Sequence, residues 1–241
     1  MRWRHPVHGV ISPEVFIPLA EQSGLIHDLT AFALESAISQ LARWQGEGRE
    51  TPVAVNLSAH NLTSPQVVET IEELLHAHQV RPDLLEVEIT ETALVADPSR
   101  VVPVLEQLAD IGVLVSIDDF GIGNTSISQL RDLPVARIKI DRTFIADLTG
   151  THPRAGSEMI VKAMVDLAHS FGLEVVAEGV EDPDTEGLIR ALGVDQAQGF
   201  LYSQPVPAAD VPPVESPGPR VRQSGRRGPR AKPAKTPQAG R

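Results

Sequence analysis

The sequence predicts an α/β protein, a TIM-type (β/α) barrel, and three observations carry that expectation. Short apolar runs alternate with longer amphipathic stretches at the spacing of roughly 25 to 35 residues that βα units need. The runs are rich in Val and Ile and nearly continuous, as strands buried on both faces are. Six of them in succession end in a side chain able to bind a cation or a phosphate: Asn56, Glu88, Asp118 with Asp119, Lys139, Glu178 and Gln198. In a closed parallel barrel all strand ends open onto one face, where the active sites of this architecture lie.

In chain order, Met1 to Arg4 reads as a strand cut short. Ser12-Pro13-Glu14 has the cap, first-turn proline and early acid of a helix start, and Gly24 ends that helix. A longer helix, about Ile26 to Gln45, carries Leu29, Phe32, Leu34, Ile38, Leu41 and Trp44. A strand from Val53 to Leu57, a helix from Pro65 to Gln79, a strand from Leu84 to Ile89 and a helix from Pro98 to Ile111 follow. Val113 to Ile117 is the next buried strand and stops at Asp118-Asp119. Gly121 and Gly123 make the loop after it permissive. The amphipathic segment Ser126 to Leu133 ends at Pro134, and the strand Ala136 to Ile140 is expected to bury everything except Lys139. A helix from Ser157 to Phe171, a strand from Glu174 to Ala177, a helix from Pro183 to Leu192 and a last strand from Asp195 to Gln198 complete the body. A barrel of this type needs eight strands. Only seven are found, so it is expected to be incomplete at its N-terminus, with the first strand missing and the second cut short.

Composition narrows the class. The 241 residues, 41% of them hydrophobic, suffice for one sizeable core. No cysteine is present, which excludes a disulfide framework and a thiolate metal site. The N-terminus has no apolar segment of the signal-peptide kind and no run approaches membrane-spanning length, so a soluble cytoplasmic protein is expected. The net charge of −11 divides unequally: residues 212–241 hold eight bases and one acid, residues 1–211 hold 13 bases against 31 acids. The folded unit is therefore expected over 1–211, and the Pro/Gly/Arg-rich tail 212–241 is expected to be disordered. So acidic a body argues against a stable nucleic-acid complex.

The strand-end residues set their own chemistry. Glu88, Asp118, Asp119 and Glu178 in one cleft would repel unless they retain protons or divalent cations neutralise them. The donors are all oxygen, which favours Mg²⁺ or Mn²⁺ over Zn²⁺. Adjacent acids can hold two ions about 3.5–4 Å apart, the arrangement that clamps attacking and leaving oxygens in phosphoryl transfer. Lys139 would orient the attacking water or offset phosphate charge. The same residues also suit a barrel lyase or enolising enzyme using Mg²⁺ and Lys139.

The motifs, in their order, resemble the EAL domain family, whose members hydrolyse the bacterial second messenger cyclic di-GMP to the linear dinucleotide pGpG. The resemblance runs from Met1 to about Pro207. It rests on RWRHP with HGVISPEVFIPLAEQSG, NLS at Asn56, EITE from Glu88 to Glu91, DDFGIG from Asp118, KID from Lys139, AEGVE from Glu178 to Glu181, and QGF at Gln198. It implies Asn56, Glu88, Asp118, Asp119 and Glu178 as ligands of a two-metal Mg²⁺ or Mn²⁺ site, with Lys139, Glu178 and Gln198 in catalysis. Arg2 would touch a phosphate. Glu91 would anchor the loop after Asp119, with Asp141 and Glu181 as further supports, and a homodimer would form through that loop. The implied partner is cyclic di-GMP.

The departures are specific. The Glu-Ala-Leu motif that names the family would lie just before Met1, and its glutamate, a metal ligand, is absent. Ile122, Asn124 and Thr125 stand where the family usually has Thr, Tyr and Ser. A catalytically impaired module that binds cyclic di-GMP or a protein partner is therefore the alternative to a phosphodiesterase.

Overall fold

The apolar runs of the sequence pair side by side into one parallel sheet. The structure, a computed structural model, describes residues 1, 3–123, 126–149 and 156–212. The chain begins with an antiparallel hairpin, β1 (Trp3–His5) and β2 (Gly9–Ile11), in which Trp3 lies opposite Ile11. Only three residues join these strands, and so short a connection permits antiparallel pairing alone. His5 Nδ1 tightens the turn by accepting the N–H groups of Val7 and His8 at 3.2 Å each. The strand expected at Met1 to Arg4 thus pairs with its own continuation. Among the described residues it does not join the parallel ladder.

Helix α1 (Pro13–Ser23) starts and stops where Ser12-Pro13 and Gly24 require, Gly24 taking the left-handed conformation with φ 78°. Helix α2 (Ile26–Gly46) turns Leu34, Ile38, Leu41 and Trp44 inward, four buried side chains at helical spacing on one face. Five βα units and a sixth strand follow. Strand β3 (Val53–Leu57) leads to α3 (Gln66–His78), and β4 (Leu85–Thr90) to α4 (Glu91–Ala96) and α5 (Pro98–Asp110). Strand β5 (Leu114–Phe120) leads to α6 (Ile127–Asp132), which opens with a reciprocal capping box between Ser126 and Gln129. Strand β6 (Arg137–Ile140) leads to α7 (Arg142–Thr149) and α8 (Ser157–Ser170), and β7 (Glu174–Glu178) to α9 (Pro183–Leu192) and β8 (Gln196–Gln198). The sheet order is β3-β4-β5-β6-β7-β8, all parallel, an α/β half-barrel of six strands. The fold class expected from the sequence is the one found.

The core lies between sheet and helices, where Val87, Ile89, Ile117, Ile138, Val175 and Ala177 meet Leu105, Leu108, Ile145 and Val161. Each large side chain buried there contributes about 1.5–3 kcal/mol. Helices α4 and α7 were not anticipated. They are six and eight residues long and too short to show a clear helical period. Past β8 the chain returns to the far end of the sheet, where Arg49 Nη2 donates to the carbonyls of Val211 and Pro212 at 2.9 and 3.3 Å and its guanidinium lies 4.7 Å over the Trp44 ring. The remainder of the tail read from the sequence, residues 213–241, lies outside the described residues. No helix among the described residues is long and apolar enough to cross a membrane.

Candidate metal centre

Parallel register brings the strand-end residues to one mouth. Asn56 of β3 pairs with Glu88 of β4, and Glu178 of β7 pairs with Gln198 of β8. Asn56 Nδ2 donates to Glu88 Oε2 at 2.8 Å. Lys139 stands at the centre, its Nζ 2.7 Å from Glu88 Oε1, 2.5 Å from Glu178 Oε1 and 3.0 Å from Asp118 Oδ1. The expectation that Lys139 is the exposed residue of its strand is wrong: it is 4% exposed. Three carboxylates supply the partners that make a buried ammonium tolerable.

Two adjacent aspartates would ordinarily face opposite sides of a sheet, because side chains alternate along a strand. Here the β5–β6 ladder shifts register between Ile117 and Phe120, and Asp119 takes φ 54°. This bulge turns Asp119 to the same side as Asp118. One ligand oxygen each from Asp118, Asp119 and Glu178 then lie within 4.8 Å of one another.

The loop beyond is fixed by Glu91, whose Oε2 accepts the N–H groups of Gly121 and Gly123 at 2.9 and 3.0 Å. Both glycines leave room at this anchor, and Gly121 is also required by its backbone. Gly121 has φ 104°, and a Cβ on it would stand 2.6 Å from Met164 Cε; one on Gly123 would stand 2.7 Å from Glu91 Cδ. Asp141 Oδ1 accepts the Thr143 N–H at 2.8 Å and its hydroxyl at 2.5 Å, and so caps α7. Glu181 is not part of the cluster. It is exposed in the connection before α9, whose start is capped instead by Asp182 accepting the Thr185 N–H at 2.8 Å. Arg2 lies outside the described residues, as do Asn124 and Thr125.

The electrostatics state how much charge is crowded here. Burial first, then the neighbouring carboxylates, push Glu88, Asp119 and Glu178 above the ordinary carboxylate range, although Lys139 pulls each back. Burial alone would lower Lys139, but Glu88, Glu178 and Asp118 together outweigh it and hold the ammonium above the usual lysine range. One cation faces four carboxylates. The Asp118 Oδ1 contact with Lys139 also lacks hydrogen-bond geometry, so that buried oxygen has no hydrogen-bond partner. An all-oxygen donor set and excess negative charge fit hard divalent cations.

Sequence reading passed over one further set of residues. Glu86 and Arg137, two positions before Glu88 and Lys139, form a buried ion pair of 2.6 Å beneath the cluster. The alternation Glu-x-Glu and Arg-x-Lys was the signal that could have found them.

An α/β half-barrel with an acidic mouth fitted to divalent cations is the class that fold and site define. Residues 1–205 match the EAL domain family, and the chain belongs to it. EAL domains are metal-dependent. Over 206 residues the chain is 38% identical to the cyclic di-GMP phosphodiesterase PA2567 of Pseudomonas aeruginosa, covering 86% of this chain and 35% of that protein. It is 35% identical to the cyclic di-GMP phosphodiesterase PdeR of Escherichia coli, covering 86% of this chain and 31% of that one. The solved PaMucR phosphodiesterase, in its c-di-GMP complex, superposes with a TM-score of 0.82 at 39% identity, covering 86% of this chain and 83% of the other. The chain spans about a third, or less, of the length of its curated relatives.

Proposed function

We propose that this chain hydrolyses cyclic di-GMP to linear pGpG, with Mg²⁺ or Mn²⁺ held by Asn56, Glu88, Asp118, Asp119 and Glu178. The observation that carries this reading is the convergence of Asp118, Asp119 and Glu178 oxygens around Lys139 on the mouth of an EAL fold. Bound divalent ions supply neutralisation of phosphate charge and a lowered pKa for the attacking water. Lys139, its ammonium held among Glu88, Asp118 and Glu178, is the group that orients water or offsets phosphate charge. Gln198, exposed at the end of β8, offers an amide to the substrate, and Arg2 is the expected phosphate contact. Glu91 holds the Asp119 loop in place.

We further propose a homodimer through that loop, for which exposed Ile122 and Ile127 supply apolar surface. The folded unit is proposed to end near residue 211, with a basic tail after it, acting in the cytoplasm; the acidic body disfavours a stable nucleic-acid complex. The test is incubation with cyclic di-GMP and Mn²⁺ or Mg²⁺, with pGpG followed chromatographically. Product should form, stop on chelation, and fall at least 100-fold in Asp118→Asn and Glu88→Gln. Unchanged turnover in either variant would remove the metal assignment.

A further inference from the structure

The mouth of the sheet rests on a second ionic layer with the same plan. Residues two or four apart on a strand share a face, so Glu86 lies below Glu88, Arg137 below Lys139, Glu174 below Glu178 and Gln196 below Gln198. Arg137 Nη1 is 2.6 Å from Glu86 Oε2, and its Nη2 is 3.0 Å from Glu174 Oε2, which also accepts Gln196 Nε2 at 3.2 Å. In both layers β6 supplies the cation while β4 and β7 supply carboxylates. Strand β5 runs between β4 and β6, and the register sets Ser116 opposite Arg137. Ser116 is fully buried, and its small side chain leaves the space through which the guanidinium crosses β5 to reach β4.

We propose that Arg137 is a positioning residue for the metal centre: by tying β4 to β7 beneath the cluster it fixes where Glu88 and Glu178 stand. The proposal rests on the metal reading of that cluster. Lys139 makes the same connection above, but through the very carboxylates that ions would share. A frame that persists when those oxygens engage a cation must come from groups the cation does not touch. Arg137 meets this requirement. Its planar fork addresses two carboxylates in fixed directions, which a lysine ammonium cannot reproduce. Its side chain is 14% exposed and that of Glu86 8%, so salt screens that arm little, whereas Glu174 on the other arm is 41% exposed.

The experiment measures Mn²⁺ affinity by calorimetry, and melting temperature in chelator, for the full chain and its variants. Arg137→Lys keeps the buried charge and should bind Mn²⁺ at least threefold more weakly. The triple variant Glu86→Gln, Arg137→Met, Glu174→Gln leaves no charge unpaired. It should melt near the wild type yet bind Mn²⁺ about 10–100-fold more weakly, the range typical for groups that orient metal ligands. Ser116→Val, which closes the crossing, should behave like Arg137→Lys. Wild-type affinity in Arg137→Lys or in the triple variant overturns the proposal, as does an affinity loss confined to variants that also lose melting temperature. A wild type that binds no Mn²⁺ overturns the metal reading itself, which separates the two failures.

Discussion

Glu91 holds Gly121 through a carboxylate oxygen that accepts its N–H at 2.9 Å, and the same oxygen accepts Gly123 at 3.0 Å. The acid sits at the first position of α4 and is 3% exposed, so two backbone donors of a loop are satisfied by one buried group from a different βα unit. Since that loop leaves the sheet after Phe120, next to Asp119, its position bears on that of a proposed metal ligand.

Glu91→Ala should therefore act at a distance. It leaves two N–H groups without their acceptor, each costing about 1–3 kcal/mol if it stays buried. The loop will relax instead, carrying Asp119 with it. The expected result is a fall of tenfold or more in Mn²⁺ affinity and in hydrolysis, with a modest loss of melting temperature. Calorimetric Mn²⁺ titration checks it, and an unchanged affinity would show that Asp119 is held by its own strand.

Asp119→Asn separates charge from shape, because Asn accepts the left-handed backbone of this position better than most residues. Burial and the charges of Asp118 and Asp141 raise the Asp119 pKa, so the folded protein keeps this proton to higher pH than the unfolded chain does. Stability is then lost as pH rises from the ordinary carboxylate range through the raised pKa. The Asn variant escapes that loss. In chelator it should melt above the wild type at pH 8 and close to it at pH 4, by about 2–4 °C for each kcal/mol of repulsion relieved, while losing Mn²⁺ affinity. Scanning melting temperature against pH for both proteins tests the sign.

The strands were legible because Val53 to Leu57, Leu84 to Ile89 and Glu174 to Ala177 are compact apolar runs with a polar end. The mouth was legible because parallel strands must present those ends together. What local pattern could not show was side-chain direction. Asp118 and Asp119 lie on one side only because a bulge and a left-handed residue break the alternation. Lys139 was expected to be exposed because its carboxylates come from β4, β5 and β7, 51 to 21 residues away along the chain and invisible to any local window. Arg137 escaped notice for the same reason: its partner Glu86 sits across an intervening strand. Glu181, chosen for its motif, was placed by the chain turning outward before α9.

Gly199 has no latitude. A Cβ there would lie 2.0 Å from the Val180 carbonyl oxygen and 2.4 Å from the Val180 nitrogen, and neither backbone atom can retreat as a side chain would. Val180 N also donates to Gln198 O at 3.0 Å, and Leu201 N to Val180 O at 3.0 Å, so the clash falls where β8 is pinned. Gly199→Ala should cost about 1–3 kcal/mol or more and displace Gln198. The expected readout is a lower melting temperature together with a raised KM for cyclic di-GMP. A variant that melts and binds like the wild type would show that the β7–β8 connection is free to shift.

Lys139→Met asks whether one residue serves both the fold and the chemistry. Its ammonium is the partner of Glu88, Asp118 and Glu178 at 2.5 to 3.0 Å, so removing it leaves carboxylates crowded in a largely buried site. Breaking a buried pair in this way costs about 3–5 kcal/mol, or about 10 °C of melting temperature for a chain of this size. Divalent cations can replace the lost charge where methionine cannot. Mn²⁺ should thus raise the melting temperature of Lys139→Met by more than it raises that of the wild type, while the proposed hydrolysis should stay lost, the ammonium assigned to orient the water being gone. Lys139→Arg should melt closer to the wild type and remain slow, since its larger planar fork cannot occupy the same point among three oxygens. Parallel melting curves with chelator and with Mn²⁺ decide the matter. If Mn²⁺ shifts the Met variant no further than the wild type, the carboxylates do not share their charge load between lysine and metal.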